Sequence, residues 1–388
     1  MAKKTESTKS TRRPVDAKVS ERIRARDSKT LGRIVEFADA VTTRALKGDE
    51  PKLEIPTRSR SNTIWNKKRK ILEMGDATSE RQLFNLNQAK QFMQTCLHSS
   101  SIKSLIDVEK SLSLRGMFYK GLHTVAGTKG EKTFADQDES DGILEDLEVA
   151  MGSLREELHI YAKKRGTMAG NITLVDSGDE IDCRRMGSGG YAIPSICEPD
   201  VIQFKKCEAK YVLHVEKDTV WGRFNEDRYW ETHNCILTEG SGQPTRGVRR
   251  LLRRLNEELG LPIYCLLDCD PWGHYIYSVI KQGSISLAFE SERLAIPEAK
   301  FLGIRSKDYR ACDLSDDVKI DMNDNDIKRA NEIMNYPWFA GDKGWQREIQ
   351  GMLDNGFKME VEGLTTKEIS YVTEEYVPQR LKDKDWLE

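Results

Sequence analysis

The sequence contains no apolar run long enough to cross a membrane. Its longest apolar stretches, at residues 264–267 and 284–289, fall far short of the roughly 18 residues that a spanning helix needs. The basic N-terminal residues MAKKTESTKSTRRP are not followed by an apolar segment, so no secretory signal is expected. The sequence therefore predicts a cytoplasmic protein.

Cysteine and histidine are present but not clustered. The eight cysteines include no CxxC pair, and the six histidines form no HExxH motif. This spacing argues against a zinc site and a disulfide framework, so the cysteines are expected to be reduced thiols. Neither GxGxxG nor GxxxxGK(S/T) occurs, which leaves no support for a dinucleotide fold or a P-loop ATPase. If ATP is used, another chain must bind it.

Size and charge set the broad class. A chain of 388 residues predicts two or three domains, and 38% hydrophobic with 32% charged residues is typical of folded globular proteins. The formal net charge is only −2, but residues 1–70 carry 20 Lys and Arg against 9 Asp and Glu. Such a basic arm suits an anionic partner, and the alternative is a solvated tail.

The sequence of the N-terminal part predicts a basic arm followed by helices. Residues 1–30 are expected to be disordered or to order on a partner, and 31–48 has the apolar spacing of a docking helix. Three short helices, at about 80–98, 101–109 and 113–124, predict a helix-turn-helix unit.

The hydrophobic pattern changes further along the chain. A long helix is expected at about 142–164 with Gly166 as its end, and a hairpin is expected around 177–179. From about 205, short apolar strands alternate with helices, one of them at about 245–259, which predicts a parallel α/β sheet. Residues 320–388 read as helical and charged.

Three acids follow predicted buried strands. Glu216, Asp268 and Asp270 lie where open α/β sheets place their ligands, at the carboxyl ends of strands. Buried carboxylates require partner cations or a metal, and an all-oxygen ligand set favours Mg²⁺ over zinc. The alternative is a solvated loop, because the DxD pattern alone is weak.

The segment SLRGMFYKG places a tyrosine beside basic residues on the third short helix. Arg115 and Tyr119 are four residues apart and share one helix face, with Lys120 adjoining. Neighbouring cations that favour phenolate and hold a phosphate are what attack by a tyrosine on phosphorus requires. The alternative is a tyrosine that simply packs on a basic helix.

The helix predicted at 245–259 carries an arginine stripe opposite its apolar face. Its members, expected as candidates for binding a phosphate backbone, are Arg246, Arg249, Arg250, Arg253 and Arg254. The alternatives are a solvated face or a salt-bridged interface with acidic segments of the same chain. The loop 238–244 before the helix could present backbone N–H groups to an anion.

Taken together, these motifs resemble the A subunit of DNA topoisomerase VI and its relative, the meiotic double-strand-break transesterase. The resemblance covers nearly everything after the N-terminal arm. It is carried by the segments SLRGMFYKG, DQDESDGILEDLEVAMGSLREEL, GSGGYAIP, YVLHVEKDTVW, GQPTRGVRRLLRRLNEELGLPIY, LLDCDPWGHYIYSV, GSISLAFESERLAIPEAKFLG and DIKRANEI.

The resemblance implies a mixed α/β, multidomain chain. It implies a basic arm and partner-docking helix (1–70), a winged-helix (CAP-like) domain with the connecting hairpin (71–200), and a Toprim Rossmann-like parallel-sheet domain with a helical extension (201–388). Tyr119 matches the family's catalytic tyrosine and Arg115 its arginine, and the Toprim acids fall on Glu216, Asp268 and Asp270.

Two positions depart from the family pattern. Gly116 stands where relatives usually have Asp, and Phe118 stands where many have a first Tyr. Phe118 removes the ambiguity over which tyrosine attacks. Gly116 removes an acid near Arg115 and lowers helix propensity, so it bears on how the helix positions Arg115.

The implied activity is that of an ATP-dependent type IIB DNA topoisomerase. Tyr119 would form a 5′-phosphotyrosyl double-strand break, with Mg²⁺ on the three acids. The implied assembly is a homodimer joined to GHKL-type ATPase B subunits in an A2B2 complex, which would relax and decatenate double-stranded DNA in the cytoplasm, associated with the nucleoid. The arm and the 31–48 helix are candidates for the B-subunit contact. The alternatives are a meiotic-type break enzyme without strand passage and a non-catalytic DNA-binding scaffold.

Overall fold

The computed structural model describes the backbone of residues 17–388, with side chains from residue 21. The basic residues 1–16 lie outside the described part. The α-helices of the described part are α1 (Ala17–Leu46), α2 (Ala89–Asp107), α3 (Leu114–Gly121), α4 (Gln137–Met151), α5 (Asp218–Glu226), α6 (Tyr229–Thr232), α7 (Arg246–Leu259), α8 (Pro271–Gln282), α9 (Ser291–Leu294), α10 (Asp308–Ala311), α11 (Asp324–Met334), α12 (Pro337–Ala340), α13 (Lys343–Asn355) and α14 (Val377–Asp383).

The strands are shorter and are spread along the described chain. They are β1 (Lys52–Pro56), β2 (Thr63–Asn66), β3 (Ile71–Met74), β4 (Thr78–Gln82), β5 (Leu112–Ser113), β6 (Ile160–Tyr161), β7 (Thr167–Gly170), β8 (Ile172–Asp176), β9 (Asp179–Asp182), β10 (Tyr191–Ala192), β11 (Ile202–Cys207), β12 (Val212–Val215), β13 (Ile236–Glu239), β14 (Ile263–Leu266), β15 (Lys300–Gly303), β16 (Ile320–Asp321) and β17 (Phe357–Lys358). Within residues 17–388, no helix is long and apolar enough to span a bilayer.

The predicted parallel sheet is confirmed. A six-stranded sheet has the order β10-β7-β13-β12-β14-β15, in which β13, β12, β14 and β15 run parallel. β7 pairs antiparallel with β13 and closes that side of the sheet together with β10. All four residues of β12 and of β13 are buried, as expected for strands covered on both faces by helices. The carboxyl ends of the four parallel strands meet at one edge, which is called the acid edge below.

The predicted hairpin is also confirmed. β8 and β9 pair antiparallel and are joined by Ser177 and Gly178, whose φ angles of 51° and 94° fit a two-residue hairpin turn. β11 pairs with the other side of β8, which completes a three-stranded sheet.

The helical region before this sheet differs from expectation in two places. A single helix, α2, replaces the two helices predicted at 80–98 and 101–109. Its serines do not interrupt it, because the Ser99 and Ser104 hydroxyls donate to carbonyls one turn back, at 2.8 and 3.0 Å. The predicted helix start at 80 is wrong because residues 78–82 form β4, which pairs with β1.

The helix predicted at 142–164 is also wrong in its bounds. Asp136 caps α4 by accepting from the Glu139 backbone N–H, and Gly152 ends the helix in the left-handed conformation. The chain then continues through a 3₁₀ turn, Arg155–Leu158, into β6. The arrangement of α2, α3 and α4 with short paired strands is compatible with a winged-helix domain.

The helix predicted at 31–48 is confirmed as part of α1, and its docking role stays a prediction. Residues 1–30 are predicted to be disordered or to order on a partner; from residue 17 onward the chain is helical, so disorder is not found there, and ordering on a partner stays a prediction. This segment has partners to pack against. Thr30 and Ile34 are buried, and the Arg33 guanidinium donates to the Gly152 carbonyl at 2.7 Å. The Gly152 carbonyl lies just past the end of α4, so α1 is fixed to the helical region that carries α3.

Candidate functional site

Helix α3 presents Tyr119 to solvent because its other face is anchored. The Ser113 hydroxyl accepts from the Gly116 backbone N–H at 3.1 Å and so caps the helix. Met117 is fully buried in the core between α2, α3 and α4. Gly121 lies so close to Phe134 that an added Cβ would meet its ring at 2.8 Å. With both ends fixed, the opposite face projects outward.

That exposed face carries the predicted tyrosine, arginine and lysine. Residue Tyr119 is 57% exposed, and Arg115 and Lys120 are exposed as well. The Arg115 guanidinium reaches the Tyr119 hydroxyl at 3.4 Å and lies 5.6 Å from the centre of its ring. Phe118 turns partly into the core instead. A cation held beside an exposed phenol oxygen suits a nucleophile that must approach a phosphate.

The three predicted acids converge at the acid edge. Glu216 directly follows β12, and Asp268 comes two residues after β14, the neighbouring strand. Asp270 caps α8 by accepting from the Gly273 backbone N–H at 2.5 Å. Glu216 accepts from the Asp268 backbone N–H at 3.1 Å, which joins the two strand ends directly. The intervening Cys269 is buried in the core below the sheet.

Burial perturbs all three carboxyl groups. Burial, with the negative charge of Asp268 next in importance, raises the pKa of Glu216 to about 8. Burial also raises the pKa of Asp268 to about 6, against the opposing effect of Lys217. The pKa of Asp270 is raised by burial as well. The three acids therefore lie in a site where their negative charge is poorly compensated.

A divalent cation fits this donor set. Among the described residues, the ion pair between Lys217 and Asp268 is the only one that reaches any of the three acids. Closely spaced, desolvated carboxylates with so little compensation favour a hard cation that prefers oxygen ligands. Glu216, Asp268 and Asp270 are the residues that would hold it.

Tyr119 and the acid edge are separate features of the described chain. No hydrogen bond or ion pair between residues 21 and 388 joins Tyr119 to Glu216, Asp268 or Asp270. The tyrosine belongs to the helical region, whereas the acids belong to the six-stranded sheet.

Four charged residues at the acid edge were not found by sequence reasoning. Glu239, at the end of β13, is buried and accepts from the Ser241 backbone N–H, which fixes the following turn. Lys217 contacts Asp268, and its ammonium also contacts Glu360 and Glu362. The sequence gives one weak signal for the last two, a Glu-x-Glu pattern about 90 residues after the DxD acids.

Four of the five arginines of the predicted stripe pair with carboxylates of this chain. Arg246 contacts Glu145, Glu148 and Glu290. The other pairs are Arg250 with Glu198, Arg253 with Glu257 and Arg254 with Glu258. Arg254 is also fully buried and donates to two backbone carbonyls, at 2.8 Å each. These contacts favour the salt-bridged interpretation of the stripe over the DNA-binding one.

Arg249 is the exception in the stripe. Its side chain is buried, burial lowers its pKa to about 10, and no ion pair to it occurs in the described part of the chain. It lines a cavity of about 510 Å³ with Gln243 and Thr245, from the loop before α7.

Arg246 also connects the two regions that carry the candidate residues. It lies at the start of α7 under the sheet, and its carboxylate partners Glu145 and Glu148 lie on α4 in the helical region. Arg293 makes a second connection, to Glu156 at 2.7 Å. These contacts form what is called the arginine bridge below.

Comparison with protein families identifies the parts of the chain. Residues 90–160 match the family described as "Type IIB DNA topoisomerase", and residues 164–208 match "All-beta domain in DNA topoisomerase VI alpha subunit". Residues 211–381, which include the acid edge, match the family described as the Toprim domain of Spo11 and of the topoisomerase 6 A subunit.

Whole-chain relatives agree with these matches. The chain is 40% identical over 375 residues to the A subunit of type 2 DNA topoisomerase 6 from Hyperthermus butylicus, covering 93% of this chain and 96% of that protein. It is 42% identical over 359 residues to the same subunit of Aeropyrum pernix, covering 88% and 92%. It is 32% identical over 355 residues to the A3 subunit of DNA topoisomerase 6 from Oryza sativa subsp. indica, covering 92% and 78%. The chain therefore belongs to the family of DNA topoisomerase 6 A subunits, and its Toprim domain is of the kind that uses a divalent metal.

Proposed function

We propose that Tyr119 is the nucleophile of this chain, which is the DNA-cleaving subunit of a type IIB DNA topoisomerase. The exposed Tyr119–Arg115 pair on α3 carries this proposal. Family membership supports the reaction class, and the converging Toprim acids supply the second half of the required chemistry. We retain the boundaries near residues 70 and 200 as the proposed domain division.

The proposed step is a transesterification. The Tyr119 phenol oxygen attacks a DNA phosphorus, and the bond from that phosphorus to the 3′ oxygen breaks. The phenol proton passes to solvent, and the departing oxygen takes up a proton to become a 3′ hydroxyl. Arg115 lies where its guanidinium can stabilise the added negative charge. Because one phosphodiester replaces another of similar energy, the 5′-phosphotyrosyl link can be resealed without ATP.

The proposed metal is Mg²⁺, held by Glu216, Asp268 and Asp270. When bound, it would supply Lewis-acid stabilisation of the departing 3′ oxygen. The role of the three side chains is to give up their protons and orient their oxygens toward one place. The Asp268 backbone N–H donates to Glu216 and so keeps the two strand ends together.

The proposed partners are double-stranded DNA, a second copy of this chain and a B subunit. The names of the relatives imply DNA and a B subunit. We propose that two copies of this chain join two GHKL-type ATPase B subunits in an A2B2 complex, that one protomer's tyrosine works with its partner's metal site, and that the complex is associated with the nucleoid in the cytoplasm. The basic arm and α1 are the proposed B-subunit contact, which predicts that deleting residues 1–50 weakens association.

Two basic residues remain as proposed DNA contacts. Lys120 is exposed next to Tyr119, and Arg249, although buried, has no ion pair within the described residues and lines a cavity. Cations without a carboxylate partner are the ones available to a phosphate.

A covalent-adduct assay tests the nucleophile. The chain is mixed with its B subunit, Mg²⁺, an ATP analogue and supercoiled DNA, quenched with detergent, and examined for protein attached to 5′ ends. Tyr119→Phe should abolish the adduct. Tyr161→Phe is the matched control, because Tyr161 is an exposed tyrosine on β6, whose partner strand β5 directly precedes α3, and it should leave the adduct intact.

Further outcomes separate the alternatives. ATP-driven relaxation by the assembled complex distinguishes a topoisomerase from a meiotic-type break enzyme, which would cleave without strand passage. DNA binding that is unchanged by Mg²⁺, with no adduct from a correctly assembled complex, would favour a non-catalytic scaffold.

A further inference from the structure

A lysine occupies the centre of the acid edge. Lys217 directly follows Glu216, and its ammonium lies 2.9 Å from Asp268 Oδ2, 3.0 Å from Glu360 Oε2 and 3.3 Å from Glu362 Oε2. The two sides of this contact differ in exposure. The Asp268 side chain is 4% exposed, whereas those of Glu360 and Glu362 are 51% and 37% exposed. The lysine therefore joins a buried metal-site acid to two acids near solvent.

Glu360 and Glu362 are held in place by the backbone. Met359 and Cys269 exchange both backbone hydrogen bonds, at 2.9 and 3.1 Å, so residues 358–362 run alongside the DxD segment. This segment is called the strap. The Val361 backbone N–H donates to Asp268 Oδ1 at 2.8 Å, and the glutamates on either side of Val361 are partly exposed. Glu362 is fixed further by the Thr219 hydroxyl at 2.7 Å.

The two carboxylate oxygens of Asp268 contact different partners. Oδ1 accepts from the strap, whereas the contact of Oδ2 is the Lys217 ammonium. Oδ2 is therefore the oxygen open to a cation. A divalent ion bound there at about 2.0–2.6 Å would lie within a few Å of the ammonium, where repulsion between the two cations is strong. The two cations cannot share Oδ2 at low cost.

We propose that Lys217 is a positioning residue that occupies the cation position beside Asp268 and transfers to Glu360 and Glu362 when the divalent metal binds. This inference rests on the proposed metal site. Two of the three contacts of the ammonium are already with the strap acids, so the lysine keeps ion pairs after it leaves Asp268. The strap acids thereby aid metal binding indirectly, by receiving the lysine, and not as ligands.

Lys217 and the two strap acids, Glu360 and Glu362, should have opposite effects on metal affinity. Lys217→Met removes the competitor, so Mn²⁺ should bind about tenfold more tightly or better. Glu360→Gln with Glu362→Gln removes the receiving acids, so the lysine stays on Asp268 and Mn²⁺ should bind about tenfold more weakly. Combining all three substitutions should return affinity to within about threefold of Lys217→Met, because the acids have no lysine left to receive.

The test is Mn²⁺ binding to the purified full chain without DNA, followed by the electron paramagnetic resonance signal of free Mn²⁺. Lys307→Met is the matched control. Lys307 is a lysine of the same part of the chain, but its ammonium pairs with Asp385 at 3.1 Å and not with any of the three acids. Its removal should change affinity less than about threefold. Circular dichroism checks that each variant is folded.

Each result decides the proposal. Unchanged or weaker binding in Lys217→Met would show that the lysine only ties the strap to the sheet, and would overturn the inference. A triple variant that binds as weakly as the double glutamine variant would make Glu360 and Glu362 metal ligands, which also overturns it. Failure of the wild-type chain to bind Mn²⁺ would remove the metal site itself, and so is distinguishable from both.

Discussion

Metal binding at the acid edge should depend steeply on pH. Glu216 has its pKa raised to about 8, chiefly by burial, and a carboxyl group must lose its proton to ligate a metal. Between pH 8 and pH 6 the apparent affinity for Mg²⁺ should therefore fall by about tenfold per pH unit, or about 100-fold overall. Asp268, with a pKa raised to about 6, adds to this dependence only at the lower end.

The effect on stability has the opposite sign in the absence of metal. The folded-state pKa of Glu216 lies above its ordinary value of 4.5, so the native state holds this proton more tightly than the unfolded state does. The stabilisation due to this group is therefore complete below about pH 4.5 and is lost as pH rises through about 8. Added Mg²⁺ should raise the melting temperature more at pH 8 than at pH 6.

Calorimetric titration of Mg²⁺ at several pH values measures the pH dependence of affinity. Thermal melts with and without Mg²⁺ measure the pH dependence of stability. Glu216→Gln removes the titrating group and should flatten the dependence between pH 6.5 and 8. An affinity that is constant from pH 6 to pH 8, or an unchanged slope in Glu216→Gln, would refute the assignment of this proton to Glu216.

Two further changes test the packing around the candidate residues. In Gly273→Ala the added Cβ would meet the Asp268 backbone oxygen at 2.4 Å, so the Asp268 backbone must move. Mn²⁺ binding should therefore weaken about tenfold. In Gly222→Ala the added Cβ points into open space, so this control variant should leave Mn²⁺ binding unchanged. Arg254→Met removes a fully buried guanidinium from two backbone carbonyls, and urea unfolding should show a loss of about 3–5 kcal/mol. A loss below about 1 kcal/mol would mean that the site relaxes around the methionine.

The sheet and its acids could be predicted because their signals are local. The strands that end near Glu216 and Asp268 are short apolar runs, and parallel strands bring their carboxyl ends to one edge. Helix α7 was predicted nearly to the residue because Thr245 caps it and Gly260 ends it. These features depend on neighbours within a few residues of one another.

The predicted helix bounds are wrong where the local sequence signal is ambiguous. Gly152 ends α4, but the sequence beyond it, SLREELHIYAKK, keeps helical apolar spacing and so predicts a longer helix. The predicted break in α2 falls among its serines, whereas the serine hydroxyls bond to the helix itself.

The ion pairs could not be predicted from the sequence for a different reason. The Arg246 partners Glu145 and Glu148 lie about 100 residues away on α4, and the strap acids lie about 140 residues from Lys217. Amphipathic periodicity shows that arginines share a face, but it contains no information about what that face meets. The partners of the arginine stripe can therefore be identified only from the tertiary structure.

The arginine bridge has a mechanical consequence. Glu148 is almost fully buried, and Arg246 is one of the two arginines that neutralise it, so parting α7 from α4 would break the ion pairs that Arg246 makes with Glu145 and Glu148 across this contact. Under load, a protomer should therefore move as one rigid body, with Tyr119 and its own acid edge kept at a fixed spacing. If two protomers form a gate for DNA, the gate should open along the seam between the protomers and not by bending within either of them.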